Sequence, residues 1–193
     1  MDSLDTLYQI LIGLGLAAAC GFRVFVPLLV MSLASRAGIG HLVLGESFAW
    51  IGSTPALIAF GSATVLEIAG YYIPWIDNLL DAVATPTAIV AGVLVTASSV
   101  AEMDPFLRWT LAIVGGGGTT AVFQGITAMA RQVSSFTTGG LGNPVLATAE
   151  AGGSALLAVL AITVPVLAIL LVVILLYFGV KRLLFRRPSP RAT

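Results

Sequence analysis

Ionisable side chains are rare in this sequence, and six of them lie within or beside its long apolar runs. They are Arg23, Glu67, Asp77, Asp81, Arg131 and Glu150. An ionisable group at the centre of a membrane helix costs at least about 2.5–3.5 kcal/mol, so it must be paired, hydrated or functional. A carboxylate in such a setting can take a proton or a cation, whereas an arginine can bind an anion or act as a gating charge.

Arg23 stands in a run that is apolar on both sides, which predicts a position well inside the first helix. Pro27 would leave the Arg23 carbonyl without its helical hydrogen bond and kink that helix. Two interpretations stay open for the guanidinium. It binds an anion or gates a pathway, or it forms a structural ion pair with Glu67 or Glu150, because a buried arginine rarely lacks a carboxylate partner.

Glu67 belongs to a run that is otherwise uncharged. At helical spacing it shares one face with Thr64, Gly70 and Tyr71. These neighbours form a stripe of small and polar residues, which suits either close packing against another helix or contact with water. The pattern therefore predicts that the carboxylate faces the protein or a hydrated cavity.

Asp77 and Asp81 are four residues apart and share a helix face, next to Trp75. Since Trp and Tyr prefer the headgroup zone, a solvated interfacial role is predicted for both aspartates rather than a metal site. His41 is the only histidine and falls in a predicted loop, so neither a serine hydrolase triad nor a zinc site can be assembled. No catalytic residue, metal ligand or cofactor is expected, and an enzyme is the least favoured class.

The stretch TTGGLGNPVLATAE ends at Glu150 and separates two long hydrophobic runs. Asn143 is a good N-cap and Pro144 suits the first turn of a helix. A helix from Pro144 to the pair Gly152 and Gly153 would be only about 14 Å long, which is too short to cross a membrane. We therefore expect a re-entrant half-helix over 143–151, with Glu150 in the cavity at its end. The alternative is a plain loop that enters a continuous sixth span.

Four consecutive glycines occur in the stretch GGGGTT, from Gly115 to Thr120. The stretch lacks the lysine of a nucleotide-binding loop, so nucleotide binding is not indicated. In a membrane helix these glycines permit close contact with a neighbouring helix or local unwinding. Close packing is the favoured interpretation.

The amino-acid composition indicates the environment in which these ionisable residues lie. Hydrophobic residues make up 58% of the 193 and charged residues 9%, with a mean hydropathy of +1.04. An ordinary soluble domain has about a quarter of its residues charged, so an all-α integral membrane protein is indicated. About 20 helical residues cross the hydrocarbon core, which leaves room for five to six transmembrane helices. Helices are predicted at 6–35, 54–73, 80–100, 106–133, 143–151 and 154–184.

Charge distribution indicates topology and excludes one class of partner. The formal net charge is zero, which argues against nucleic acid. Basic residues follow the last apolar run, and by the positive-inside rule they place the C-terminus in the cytoplasm. We predict one transmembrane domain over 1–184 and a basic cytoplasmic tail over 185–193. The basic residues are Lys181, Arg182, Arg186, Arg187 and Arg191.

Three stretches of the first half have counterparts, in the same order, in the second half. The possible repeats are 6–100 and 106–180. An odd number of crossings in each repeat would insert the second half upside down, as in many transporters. This predicts two inverted repeats of three segments with broken or re-entrant helices. The paired stretches are 13–25 with 114–126, 53–57 with 142–146, and 85–95 with 164–174.

The stretches GFRVFVPLL and TTGGLGNPVLATAE resemble bacterial membrane proteins grouped as domain of unknown function 4126, and the resemblance covers nearly the whole chain. It implies a small multi-pass protein of the bacterial cytoplasmic (inner) membrane and carries no known activity. Ala151 stands where the family often has an acidic residue, which puts any role of paired carboxylates there in doubt. The matching positions are Gly21, Arg23, Pro27, Thr138, Gly139, Gly140, Asn143, Pro144 and Glu150.

These observations favour a small transporter or channel for a small polar or ionic solute, with a site at helix breaks inside the membrane. The alternative is a membrane scaffold or lipid-binding subunit that transports nothing. Membrane lipid and a small solute or ion are the expected partners, and a homo-oligomer is left open. The predicted substrate-binding or ion-binding residues are Arg23, Glu67, Arg131, Thr138, Gly139, Gly140, Asn143, Pro144 and Glu150.

Overall fold

The structure is a computed structural model that describes residues 3–184, except for the side chains of 74–79, 81, 82, 180 and 182–184. The predicted roles of Asp77, Asp81 and the tail 185–193 fall outside the described residues. Within the described range every regular element is helical. The elements are α1 (Ser3–Cys20), α2 (Phe25–Ala37), a 3-10 helix (Glu46–Gly52), α3 (Thr54–Gly70), α4 (Pro74–Ser99), α5 (Pro105–Thr138), α6 (Asn143–Thr163) and α7 (Pro165–Leu184).

Among the described residues, three helices are long and apolar enough to cross a membrane, namely α1, α5 and α6. The 3-10 helix and α3 meet at a bend of 58°, and together they would make a fourth span. The remaining apolar helices, α2, 83–99 of α4 and 165–179 of α7, are shorter. Three to four candidate spans indicate a membrane protein, and five to six spans are not confirmed.

The first predicted helix, 6–35, is wrong because the chain breaks at 21–24 and turns back. The start of α2, Phe25, follows the end of α1, Cys20, by a short connection, whereas beyond the end of α2 the carbonyl of His41 accepts a hydrogen bond from Gln9 in the first half of α1. α2 therefore runs antiparallel to α1. Pro27 is the third residue of α2, where it needs no helical hydrogen bond, so it begins a helix rather than kinking one.

The re-entrant half-helix predicted over 143–151 is also wrong. α6 runs without a break through Gly152 and Gly153 to Thr163, over 21 residues. An unsatisfied backbone group in lipid costs several kcal/mol, which outweighs the weak helix preference of glycine. The break comes instead at Val164, which leaves the helical conformation before Pro165. The helix predicted over 154–184 therefore begins at Pro165, as α7.

α1 lies at the centre of the packing, and side-chain hydroxyls from three other helices donate hydrogen bonds to its carbonyls. Thr96 of α4 donates to Gly13, Thr120 of α5 donates to Ala17, and Ser154 of α6 donates to Ala19. Small and hydroxyl residues allow helices to approach closely in a membrane protein. Further along α5, Thr127 donates to the carbonyl of Gly21, which follows Ala17 in the chain. Because later residues of α5 contact later residues of the first segment, α1 and α5 run in the same direction.

Three of the four consecutive glycines, 115–117, lie in a π-helical segment of α5, Leu111–Gly117, and Gly116 and Gly117 pack against α4. A Cβ atom on Gly116 would meet the side chain of Thr96 and lie 2.7 Å from the carbonyl oxygen of Gly92. The predicted close packing is therefore confirmed at Gly116, and it coincides with a local widening of the helix. This contact fixes the register of α5 and so the height of Arg131 further along it.

Candidate functional site

Five buried side chains meet at one end of α1, and each comes from a different place in the chain. Arg23 lies in the α1–α2 connection, Glu67 in the last turn of α3 and Tyr71 just after it. Arg131 and Glu150 come from α5 and α6. All five are less than 9% exposed, and Arg23 is only 1% exposed. We call these five residues the charged cluster.

Glu150 is the centre of the charged cluster because two guanidinium groups hold its carboxylate. Arg131 contacts it side-on, with Nε 3.2 Å from Oε1 and Nη2 bonded to Oε2. Arg23 Nη2 lies 3.1 Å from the same Oε2 and also donates to the carbonyl of Ala147, one turn earlier in α6. Such charge-assisted bidentate contacts are the strong class of protein hydrogen bonds.

Glu67 has a different set of partners, because its carboxylate accepts two backbone N–H groups at the start of α2. Val24 N lies 2.8 Å from Oε1 and Phe25 N lies 3.1 Å from Oε2. The N-cap position of α2 is Val24, whose own side chain makes no capping bond. Glu67 therefore caps α2 from another helix, and its negative charge lies beside the positive N-terminal end of the α2 dipole, which attracts it. This contact holds the α1–α2 turn that presents Arg23.

Tyr71 provides an aromatic surface for both arginines. The guanidinium carbons of Arg23 and Arg131 each lie 3.9 Å from the centroid of its ring. A desolvated cation on an aromatic face is stabilised by about 2 kcal/mol or more. Sequence reasoning placed Tyr71 on the face of Glu67 but did not assign it to the site. The signal was available, because an aromatic residue four positions after a buried carboxylate lies one helical turn away from it.

The charged cluster has balanced charge but unused hydrogen-bonding capacity. Its two arginines and two glutamates sum to zero when all four are ionised. Among the described residues, however, the buried Nε and Nη1 atoms of Arg23 have no hydrogen-bond partner. Unpaired buried donors cost about 1–3 kcal/mol each, more for charged groups. The guanidinium is thus bound firmly through Nη2 and is able to donate further bonds.

A cavity of about 550 Å³ lies beside the charged cluster, between the start of α2, α3 and α4. Glu67 and Tyr71 form part of its wall. The rest of the lining is mostly apolar, and includes Phe25, Leu66, Leu80 and Val83. Tyr71 therefore touches the arginines and borders the cavity as well.

The structure brings together four of the nine predicted binding residues, namely Arg23, Glu67, Arg131 and Glu150. It also selects between the two partners considered for Arg23, because the direct ion pair is with Glu150. Within the described residues no group of three or more His, Cys, Asp or Glu side chains is placed to hold a metal. The chemical groups of the charged cluster are carboxylates, which can take protons, and guanidiniums, which can bind oxyanions.

The other five predicted residues form the turn between α5 and α6, and their hydrogen bonds there are local. Gly142 N donates to Thr138 Oγ1, and Asn143 Nδ2 donates to Ser135 Oγ. Asn143 is the first residue of α6 rather than its N-cap, whereas the place of Pro144 in the first turn is confirmed. A role in binding stays a prediction for the five. They are Thr138, Gly139, Gly140, Asn143 and Pro144.

No curated protein and no solved structure is similar to the chain. The model of the family described as "Domain of unknown function (DUF4126)" matches residues 10–184, which include every residue of the charged cluster. The chain therefore belongs to the DUF4126 family.

Proposed function

We propose that this protein is a small inner-membrane transporter or channel for a small polar or ionic solute, and that the charged cluster is its site. The observation that carries the proposal is the buried network Arg23–Glu150–Arg131. Burying four ionised groups costs several kcal/mol each before pairing, and a purely apolar contact would hold three helices as well. Ionisable residues at such depth commonly mark the path of a solute or a proton.

The proposed roles follow from the partners of each group. Arg23 and Arg131 bind the solute, and Glu150, the described carboxylate that contacts both guanidiniums, takes a proton when the solute displaces it from them. Both oxygens of Glu67 are engaged by backbone N–H groups, so it holds the α1–α2 turn in place. Asn143 and the helix start at Pro144 are proposed to line the approach from the α5–α6 turn.

The finer architecture belongs to the proposal as well. Five to six spans require one or two of the shorter helices α2, α4 and α7 to cross alongside the three long helices and the bent pair of the 3-10 helix and α3. The inverted repeats over 6–100 and 106–180 stay a prediction, and the parallel course of α1 and α5, which carry the first pair of matching stretches, speaks against inversion for that pair. The bacterial inner membrane and a cytoplasmic C-terminus complete the proposed topology.

A lipid-binding subunit is the second candidate, and the apolar cavity favours it. A volume of about 550 Å³ with mostly hydrocarbon walls suits part of an acyl chain. In that case the charged cluster would hold a headgroup, and no solute would cross. Flux measurements separate the two candidates, because only a transporter gives solute movement that depends on the charged cluster.

The test uses purified protein in liposomes with a proton-sensitive dye inside and a panel of labelled solutes outside. The panel contains inorganic anions, monocarboxylates, amino acids and sugars. We expect at least one solute to enter faster than in protein-free liposomes, and we expect Arg23→Gln and Glu150→Gln to change that flux. Matched controls are Arg36→Gln and Glu46→Gln, since both side chains are exposed and outside the charged cluster. Flux that both cluster variants leave intact would show that the site is elsewhere.

A further inference from the structure

The carboxylate of Glu150 occupies a place that is built for a carboxylate. The side-on fork of Arg131 matches its two oxygens, and Arg23 adds a third contact. This planar fork is the geometry by which arginine recognises carboxylate groups on any molecule. A free carboxylate of the right size could make the same contacts if the side chain of Glu150 moved away.

The unpaired donors of Arg23 are an independent sign that the site accepts more than Glu150. A guanidinium in a finished structural ion pair would use its N–H groups on fixed acceptors. Here Nε and Nη1 are buried and without a partner among the described residues. Arg23 can therefore donate to an incoming ligand while Nη2 keeps its bond to the carbonyl of Ala147.

The charge balance sets the charge of the ligand. When the carboxylate of Glu150 leaves or is protonated, Arg23, Arg131 and Glu67 remain, with a formal sum of +1. Glu67 does not compete for the guanidiniums, because its oxygens accept the N–H groups of Val24 and Phe25. One monovalent anion restores neutrality in a buried place, where uncompensated charge is costly.

The neighbouring cavity favours an organic anion over an inorganic one. Neither arginine lines this cavity, but its wall contains Tyr71, whose ring touches both guanidiniums, so apolar space for the body of a ligand lies next to that ring. Binding sites for small organic ligands commonly combine a few charged groups with mostly apolar walls. A hydrocarbon or aromatic body of modest size fits within about 550 Å³.

We propose that Arg23 and Arg131 form a binding site for a small carboxylate monoanion, and that Glu150 is a tethered competitor that occupies this site until it is protonated or displaced. This rests on the proposed function and names its ligand. The ligand and the Glu150 carboxylate exclude each other, so uptake of a proton by Glu150 promotes binding of the anion. Movement of the anion is thereby coupled to movement of a proton.

The groups around Glu150 limit what else could cause such a pH dependence. Its charged or titratable neighbours are Arg23, Glu67, Tyr71 and Arg131, from the two connections, α3 and α5. The end of α1 adds the buried thiol of Cys20, and the described side chains of α7 add the exposed groups Tyr177 and Lys181. Glu67 is the other carboxylate among these described groups, and its oxygens accept the N–H groups of Val24 and Phe25, so a pH dependence that it caused would persist in Glu150→Gln.

The test measures binding of benzoate by calorimetry to the purified full-length protein in detergent, at about pH 7.5. If Glu150 holds the guanidiniums for all but about a tenth of the time, its removal tightens the apparent affinity about tenfold. We expect this gain for Glu150→Gln and none for Glu46→Gln. Adding Arg23→Gln to Glu150→Gln should abolish benzoate binding. Chloride at the same concentration should not displace benzoate.

A second measurement, on the wild type, tests the proposal even if the Glu150→Gln protein does not fold. Benzoate should bind the wild type more tightly as the pH is lowered from about 7.5, because benzoate binding and protonation of the displaced carboxylate favour each other, and Glu46→Gln should keep this dependence. Benzoate binding that Glu150→Gln leaves unchanged or weakens, or that does not vary with pH in the wild type, would overturn the proposal. Flux of another solute that needs Arg23, without benzoate binding, would overturn this inference alone, whereas benzoate binding without any flux would overturn only the transport function.

Discussion

Arg23, in the connection between α1 and α2, lies 3.1 Å from the carboxylate of Glu150 in α6. The contact joins the first reversal of the chain to a helix in its second half. It also places the unpaired donors of Arg23 next to the charged network.

Glu67→Gln should destabilise the protein because it removes one of the two acceptors that hold the start of α2. A buried N–H group without an acceptor costs about 1–3 kcal/mol. The measurement is the midpoint of thermal unfolding in detergent. Glu46→Gln is the matched control, since Glu46 is exposed at the start of the 3-10 helix. Equal midpoints for the two variants would show that Glu67 does not hold the turn.

Tyr71→Leu should destabilise the charged cluster more than Tyr71→Phe. Phenylalanine keeps an aromatic face for Arg23 and Arg131, whereas leucine removes it at a cost of about 1–2 kcal/mol for each cation. Thermal unfolding of both variants measures the difference. If the two substitutions have the same effect, the stacking of the guanidiniums on the ring contributes nothing.

Gly116→Ala should destabilise by about 1–3 kcal/mol, the usual range for overpacking. The added methyl group would meet Thr96 and the backbone carbonyl of Gly92, and a backbone atom cannot move aside easily. Gly118→Ala, two residues further along α5, is the control because nothing lies within 4 Å of its added Cβ. A similar unfolding midpoint for both variants would contradict the close contact of α4 and α5.

Gly153→Ala tests the continuity of α6. The residue lies within the helix with open space around it, so alanine should be neutral or stabilising by up to about 1 kcal/mol. Gly139→Ala should instead destabilise by about 1–2 kcal/mol, because the φ of Gly139 is 63°. A loss of stability in Gly153→Ala as large as that in Gly139→Ala would indicate that the helix ends near Gly153.

Sequence reasoning identified most of the charged cluster because a charge inside an apolar run is visible without a structure. Arg23, Glu67, Arg131 and Glu150 were all candidates, and the pairing of Arg23 with Glu150 was one of two alternatives considered. The choice between them depends on how α1, α3 and α6 pack. Such packing is set by contacts between small residues distant in sequence, as between Ser154 and Ala19.

The two errors in the helices have local causes that only tertiary structure resolves. The reversal at 21–24 depends on Glu67, which caps α2 from a residue about forty positions away, so no local capping signal announces it. The continuity of α6 depends on the lipid or protein around Gly152 and Gly153. Away from water, the backbone N–H and C=O groups there must hydrogen-bond to each other within the helix. The same pair in water would be a reasonable end to a helix.

Cysteine accessibility tests whether water and the ligand reach Glu150 through the α5–α6 turn. A Cys20→Ala protein has no other cysteine, so single cysteines at 137–149 report water access to the α5–α6 turn. A transporter predicts reaction with a water-soluble thiol reagent that benzoate slows at positions near Glu150. Reaction rates that do not respond to benzoate would contradict a ligand path through this turn.

The central claim is that a solute crosses the membrane through contacts with Arg23. Its most direct test is solute uptake into liposomes under an imposed proton gradient, for wild type, Arg23→Gln and Arg36→Gln prepared in parallel. Arg36 is exposed and hydrogen-bonded to Gly52 and Thr54, away from the charged cluster. The account predicts equal uptake for wild type and Arg36→Gln, and uptake at the level of protein-free liposomes for Arg23→Gln. Uptake by Arg23→Gln at the wild-type rate would contradict it.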